Sequence, residues 1–196
     1  MVNLLFSYYL GIHVILSSYP FTMKKYTYTL AFLVLLMMYG SEVLGQKGIH
    51  WMSWEEAMEK SKTEKRFIFI DVYTQWCGWC KRMDKNTFQQ EEVAKYINEH
   101  YYPIRFDAEY KDVISLHGKE YHFVPSGRRG YHELAAAITF GKLSFPTIVF
   151  MDPDWKVIQP IPGYQDAKTF RLISKYFAEG YYKNTPWDVF QRNSEK

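Results

Sequence analysis

The chain has 196 residues, a formal net charge of +3, 47% hydrophobic and 19% aromatic residues, and 17 Tyr. That length suits one domain with a proper core, and the small, dispersed charge, with no basic cluster interleaved with aromatics, excludes a nucleic-acid reader. Only two cysteines occur, Cys77 and Cys80, which excludes a disulfide framework and an all-Cys zinc site and leaves a catalytic pair or half of a mixed Cys/His site.

The N-terminus reads as a leader. Lys24 and Lys25 precede an apolar run from Leu30 to Tyr39, followed by Gly40, Ser41 and Val43-Leu44-Gly45. Basic, apolar, small is the order of a secretory signal peptide, with cleavage expected after Gly45. The run is about half the ~20 residues a spanning helix needs, so an uncleaved membrane anchor is the lesser alternative. Residues 1–22 hold a second apolar stretch and read as a misplaced start, with translation beginning at Met23; the alternative is an extended hydrophobic leader or a second membrane segment. No Cys lies near the cleavage site, which excludes a lipoprotein anchor. A secretory leader predicts an extracytoplasmic, periplasmic location.

Beyond the leader, Trp51–Lys65 is expected to be a helix capped by Ser53, with Glu55 and Glu56 in its first turn. Phe67–Tyr73 is apolar except for Asp71, the pattern of a strand buried on both faces. Thr74–Cys77 turns the chain. A helix is expected from Cys77 to about His100, broken near Asn86-Thr87, followed by a strand at Tyr102–Asp107. Together these make a parallel βαβ unit. Residues 109–144 form an elaboration too apolar to be a linker. Within it are expected a short helix at Val113–His117, a short strand at Tyr121–Val124, a turn-rich loop at Pro125–Gly130 and a helix at Tyr131–Phe140. Phe145–Met151 and Trp155–Ile161 pair as a hairpin through Asp152-Pro153-Asp154, and Gly163 ends it. Asp166 caps a last helix running to about Tyr182, with Phe170, Ile173, Tyr176 and Phe177 on its buried face. Residues 186–196 read as a short tail.

The chemistry centres on Trp76-Cys77-Gly78-Trp79-Cys80. Disulfide exchange needs a thiolate, so a reactive cysteine needs a lowered pKa. Cys77 falls where a strand ends and a helix begins, and free N–H groups there, with Lys81 and Arg82 nearby, favour the anion. Cys80, one turn on, is placed to attack a mixed disulfide on Cys77. Gly78 relieves crowding. Asp71, a carboxylate in an apolar strand, should have a raised pKa and could move a proton for Cys80. The plainer alternative is an edge or structurally hydrogen-bonded Asp.

These residues, with Phe145-Pro146-Thr147 before a strand and Gly163 before the last helix, resemble thioredoxin along residues 50–180. The resemblance implies an α/β thioredoxin fold: a mixed central sheet flanked by helices over residues 46–185, with a helical and loop insertion before the cis-proline strand. It implies a protein thiol–disulfide oxidoreductase, with Cys77, Cys80 and Asp71 catalytic. Trp76, Phe145 and a cis Pro146 would dock the substrate chain, and Gly78, Trp79 and Lys81 would shape the loop. Pro146 would offer backbone hydrogen bonds to that chain. No cofactor is implied beyond the redox-active Cys77–Cys80 pair. The partners implied are proteins with thiols or disulfides and an envelope redox protein that recycles a monomeric enzyme. Two features depart from the family: Trp79 stands where thioredoxin has proline, and the 109–144 insertion resembles elaborated thioredoxin-like envelope proteins, with Gly130-Tyr131-His132-Glu133-Leu134 and Gly163-Tyr164-Gln165. Its place before Pro146 predicts that it borders the substrate groove. Reduction is the preferred direction; oxidation and isomerisation stay open.

Other readings were weighed. Haem attachment needs His after Cys80, where Lys81 stands. Zinc would need His100, His117, His122 or His132 with the cysteines, and none has ligand spacing. A binding or chaperone-like module with a structural disulfide is the alternative from another class. Arg128-Arg129 could hold an anion, but a solvated loop is the simpler reading. Trp51, Trp54, Tyr121 and Tyr131 read as core and rim packing.

Overall fold

The computed structural model describes residues 48–194, so the leader and its cleavage site lie outside the described residues. Helix α1 (Trp54–Thr63) starts at Ser53, whose Oγ accepts the Glu56 N–H at 3.1 Å. It is shorter than its apolar pattern suggested. Met52 is drawn into the sheet instead, donating its N–H to the Pro103 carbonyl at 2.8 Å. Strand β1 (Phe67–Tyr73) leads through the cysteine turn to α2 (Gly78–Met83), a π-helical turn at Asp84–Phe88 and α3 (Glu91–His100). The break expected at Asn86-Thr87 is this π turn, completed at Gln89-Gln90. Strand β2 (Tyr101–Asp107) follows.

The insertion differs from its expected form. Val113–His117 is not a helix: Ile114–Leu116 is strand β3, paired antiparallel with β4 (Lys119–Tyr121). His117 and Gly118 both take positive φ, 53° and 73°, the two-residue turn that matches the twist of a hairpin. Burial alternates along β3, with Ile114 and Leu116 inside and Ser115 outside. The strand expected at Tyr121–Val124 is divided between β4 and β5 (Phe123–Ser126). The Pro125–Gly130 loop is a second hairpin, from β5 to β6 (Arg129–His132). Gly130 is required there, because a Cβ would collide with the Phe123 ring and the Val124 carbonyl. Helix α4 is confined to Glu133–Ile138. The insertion is therefore two β-hairpins and one short helix.

Strands β7 (Thr147–Met151) and β8 (Val157–Pro162) form the expected hairpin, and α5 (Ala167–Ala178) is capped by Asp166 Oδ1 on the Thr169 N–H at 2.9 Å. The segment read as a tail is helix α6 (Trp187–Ser194). Its Phe190 is buried, 5.1 Å from the Tyr176 ring and 4.7 Å from that of Tyr181. Three aromatic contacts outweigh its polar composition, so the fold continues through it.

The main sheet has the order β2-β1-β7-β8. β1 is parallel to β2 and antiparallel to β7, and β8 is antiparallel to β7. Alternate residues feed two cores. Ile68, Ile70, Val72, Ile104 and Val149 pack with Trp54, Leu134 and Trp155. Phe69, Tyr101, Ile148 and Phe150 pack with Met83, Phe88, Ile97, Phe170 and Phe177. Helices thus cover both faces of a mixed sheet, which is the thioredoxin fold. Among the described residues no helix is long and apolar enough to cross a membrane.

Candidate active site

The directions of the strands decide what meets the cysteines. β1 and β2 end at one edge of the sheet. β7, being antiparallel, begins there, and β8 ends there. The cysteine turn, the insertion, the segment before β7 and the residues after β8 therefore gather at one edge.

Cys77 and Cys80 form a disulfide there, with Cα atoms 5.3 Å apart. Cys77 is the N-cap of α2. Its N–H donates to the Thr74 carbonyl at 3.1 Å, and its Sγ accepts the Cys80 N–H at 3.0 Å. That N–H is one of the unpaired donors of a helix start, and it would stabilise negative charge on Cys77 sulfur. The sulfur residues are largely covered, Cys77 at 5% and Cys80 at 2% exposed. The flanking tryptophans are not: Trp76 is 51% and Trp79 56% exposed.

Each tryptophan carries an arginine. The Arg82 guanidinium lies 5.2 Å over Trp79 and 5.9 Å over Tyr164, and the two rings are 5.7 Å apart. The Arg129 guanidinium, from β6, lies 4.1 Å over Trp76. Trp76 Nε1 donates to Glu109 Oε1 at 3.1 Å, and its ring meets Phe145 edge-on at 6.0 Å. Two residues of the insertion, Glu109 and Arg129, therefore touch the tryptophan beside the disulfide. Gly78 has open space where a Cβ would be, and Lys81 is exposed.

The Phe145–Pro146 peptide is cis. Pro146 has no N–H, and its carbonyl already accepts the Gly163 N–H at 2.8 Å. The N–H of the cis pair belongs to Phe145, and the Pro146 carbonyl keeps a second lone pair.

Asp71 is buried, and it shares the Phe69 side of β1 because side chains alternate along a strand. That is the side covered by Met83 of α2. Neither carboxylate oxygen has a hydrogen-bond partner. Burial pushes its pKa up to about 7, against the pull of Arg105 and with a further push from Asp84. Arg105 stands opposite Asp71 in the β1–β2 register, its Nε 3.7 Å from Asp71 Oδ2 and its Nη1 3.4 Å from Asp84 Oδ1. The edge-strand alternative for Asp71 is excluded by its central position.

Three residues at this edge were missed in the sequence: Arg105, Asp84 and Glu109. The first two had a signal. Arg105 breaks an apolar strand as Asp71 does, and Asp84 follows Cys80 by one helical turn. Glu109 depends on how the insertion folds and had none; Arg129, expected in a solvated loop or on an anion, instead lies over Trp76. The histidines are dispersed. His132 is enclosed, with Nδ1 accepting the Leu134 N–H at 3.2 Å and Nε2 at 3.1 Å from the Asp112 carbonyl, which assigns the proton to Nε2. Burial lowers its pKa.

The structure thus defines a thioredoxin-fold domain with a CxxC disulfide at the head of a helix. The family described as Thioredox_DsbH, a protein of unknown function (DUF255), matches residues 42–171, and the chain belongs to it. Uncharacterized protein B0495.5 of Caenorhabditis elegans is 27% identical over 150 residues, which is 67% of this chain but 21% of that protein. The chain thus spans about a fifth of that relative's length. The disulfide bond reductase DsbH of Chlamydia pneumoniae is 27% identical over 128 residues, covering 65% of this chain and 70% of that one. A solved structure of a putative disulphide-isomerase from Bacteroides thetaiotaomicron is 26% identical with a TM-score of 0.48, covering 68% of this chain and 95% of that one.

Proposed function

We propose that this protein is a thiol–disulfide oxidoreductase that reduces disulfides of extracytoplasmic proteins. The observation that carries the reading is the Cys77–Cys80 pair at the head of α2, with the Cys80 N–H on Cys77 Sγ. The Chlamydia pneumoniae relative is a disulfide bond reductase, which supports the direction. The basic, apolar, small pattern of residues 24–45 supports the location.

In the reduced enzyme the Cys77 thiolate attacks one sulfur of a substrate disulfide and expels the other as a thiolate. A mixed disulfide joins Cys77 to the substrate. The Cys80 thiol then loses its proton to Asp71, whose pKa near 7 suits it to take and return one near neutral pH. The Cys80 thiolate attacks Cys77 Sγ and releases the second substrate thiolate. Two electrons pass to the substrate and the Cys77–Cys80 disulfide remains, to be reduced by an envelope partner. No bound cofactor enters this cycle. Trp76, Phe145 and Pro146 dock the substrate chain, and Gly78, Trp79 and Lys81 shape the loop. The working unit is the monomer.

Insulin reduction in the presence of dithiothreitol tests the reading. The full chain should accelerate precipitation of the insulin B chain, and Cys77→Ser should abolish the acceleration. Equal rates with and without the protein would refute the activity and favour a binding module with a structural disulfide.

A further inference from the structure

We propose that the cleft between Trp76 and the inserted hairpins is a subsite for an acidic side chain next to the reacting cysteine of the substrate, with Arg129 as the residue that sets this preference. The inference rests on the oxidoreductase reading. The cleft measures about 190 Å³ and is bounded by Thr74, Trp76, Arg129, Tyr131, Leu143 and Phe145, room for a single side chain. Trp76 precedes Cys77, and Phe145 precedes the cis proline. A polypeptide whose sulfur meets Cys77 therefore passes over the mouth of the cleft.

Two groups in the cleft lack a partner that a carboxylate would supply. The Arg129 guanidinium lies over Trp76 and, among the described residues, makes no side-chain hydrogen bond. Its N–H fork is therefore free, and the fork matches a carboxylate. Among the described residues no carboxylate lies within ion-pair distance of it. Deeper in, the Thr74 hydroxyl is buried, in a residue 1% exposed, and has no hydrogen-bond partner. Glu109 opposes an incoming acid. Its Oε1 is already held by the Trp76 N–H, whereas the Arg129 fork is unpaired, and neutralising Glu109 should sharpen the preference.

The test uses two cysteine peptides, identical except for Glu or Gln beside the cysteine, each as its disulfide-linked dimer. The full chain is reduced, freed of reductant and mixed with each dimer, and the single turnover is followed by tryptophan fluorescence. Each turnover breaks one peptide disulfide, forms Cys77–Cys80 and releases two peptide thiols. Rates are divided by those with dithiothreitol, which removes the peptides' intrinsic difference. The Glu dimer should react about fivefold faster at low salt and lose much of that advantage at high salt. The ratio should fall below about twofold in Arg129→Gln and rise in Glu109→Gln, whose amide oxygen can still accept the Trp76 N–H. A ratio near one in the native chain, or one unchanged by Arg129→Gln, overturns the inference alone. No reaction with either dimer overturns the oxidoreductase reading and the inference with it.

Discussion

Asp71 makes a quantitative demand on stability. Its carboxyl titrates at about 7 in the folded protein, against an ordinary value of 3.8. Below both values it is neutral in both states and contributes nothing. Between them the unfolded chain has lost the proton and the folded chain keeps it. Stability therefore falls with rising pH, by about 1.4 kcal/mol per pH unit. Above 7 the charge is buried and the loss is complete, at about 4 kcal/mol. For a domain of this size that is roughly 10 °C in Tm. Asp71→Asn removes the titration. Its amide finds no better partners than the carboxylate, so near pH 4 the variant should be no more stable than the native chain. It should then overtake the native chain as pH rises. Urea unfolding of the oxidised protein between pH 4 and 9 measures the gap. Curves that stay parallel across that range, or a variant less stable at pH 8.5, would refute the account of a carboxyl isolated from water and poorly paired.

Arg105 is the one group that holds the Asp71 pKa down, so Arg105→Gln should move the titration above 7. The pH midpoint of the Asp71 carboxyl carbon resonance reads this directly. Gly130→Ala should cost about 1–3 kcal/mol by forcing the Phe123 ring aside. Amide exchange should then quicken in Phe123–His132 before it does in the main sheet. Phe190→Ala should cost about 3 kcal/mol in urea unfolding, because it empties the contact between α6 and Tyr176; a loss under about 0.5 kcal/mol would mean that α6 is the free tail its composition suggested.

The main sheet and its helices were legible because their signals were redundant. β1 and β7 are runs of apolar residues long enough to be central strands, and Ser53 and Asp166 mark helix starts through hydroxyl and carboxylate oxygens that bond backbone N–H groups. The cysteine pair, Asp71 and the Phe-Pro-Thr segment fixed where the site would lie. The insertion was not legible for a physical reason. Its strands are three or four residues long, too short for a period of two to stand out from a helical period. The decisive residues were His117 and Gly118, where positive φ closes a hairpin. A histidine gives little warning of that conformation. Helix α6 was missed because the two aromatics of a polar stretch, Trp187 and Phe190, find their partners in Tyr176 and Tyr181, residues that its own sequence does not reveal.

The position of the insertion has a consequence for how such sites diversify. In a sheet of order β2-β1-β7-β8, the connection from β2 to β7 must leave and return at the edge where β1 delivers the cysteines. Added length there cannot avoid the active site, whereas length added between β7 and β8 falls at the opposite edge. The two tryptophans divide this edge between two sources. Trp79 is stacked by Arg82 and Tyr164, from α2 and the segment after β8, both parts of the basic fold. Trp76 is held by Glu109 and Arg129, both from the insertion. Changes in the insertion therefore alter the Trp76 side while leaving the Trp79 side and the Asp71–Arg105 pairing in place. On the proposed function, residues 109–144 can change the surface beside the disulfide without retuning the buried carboxyl, because Asp71 lies on the other face of β1 from the core against which the insertion packs its Ile114, Leu116 and Leu134.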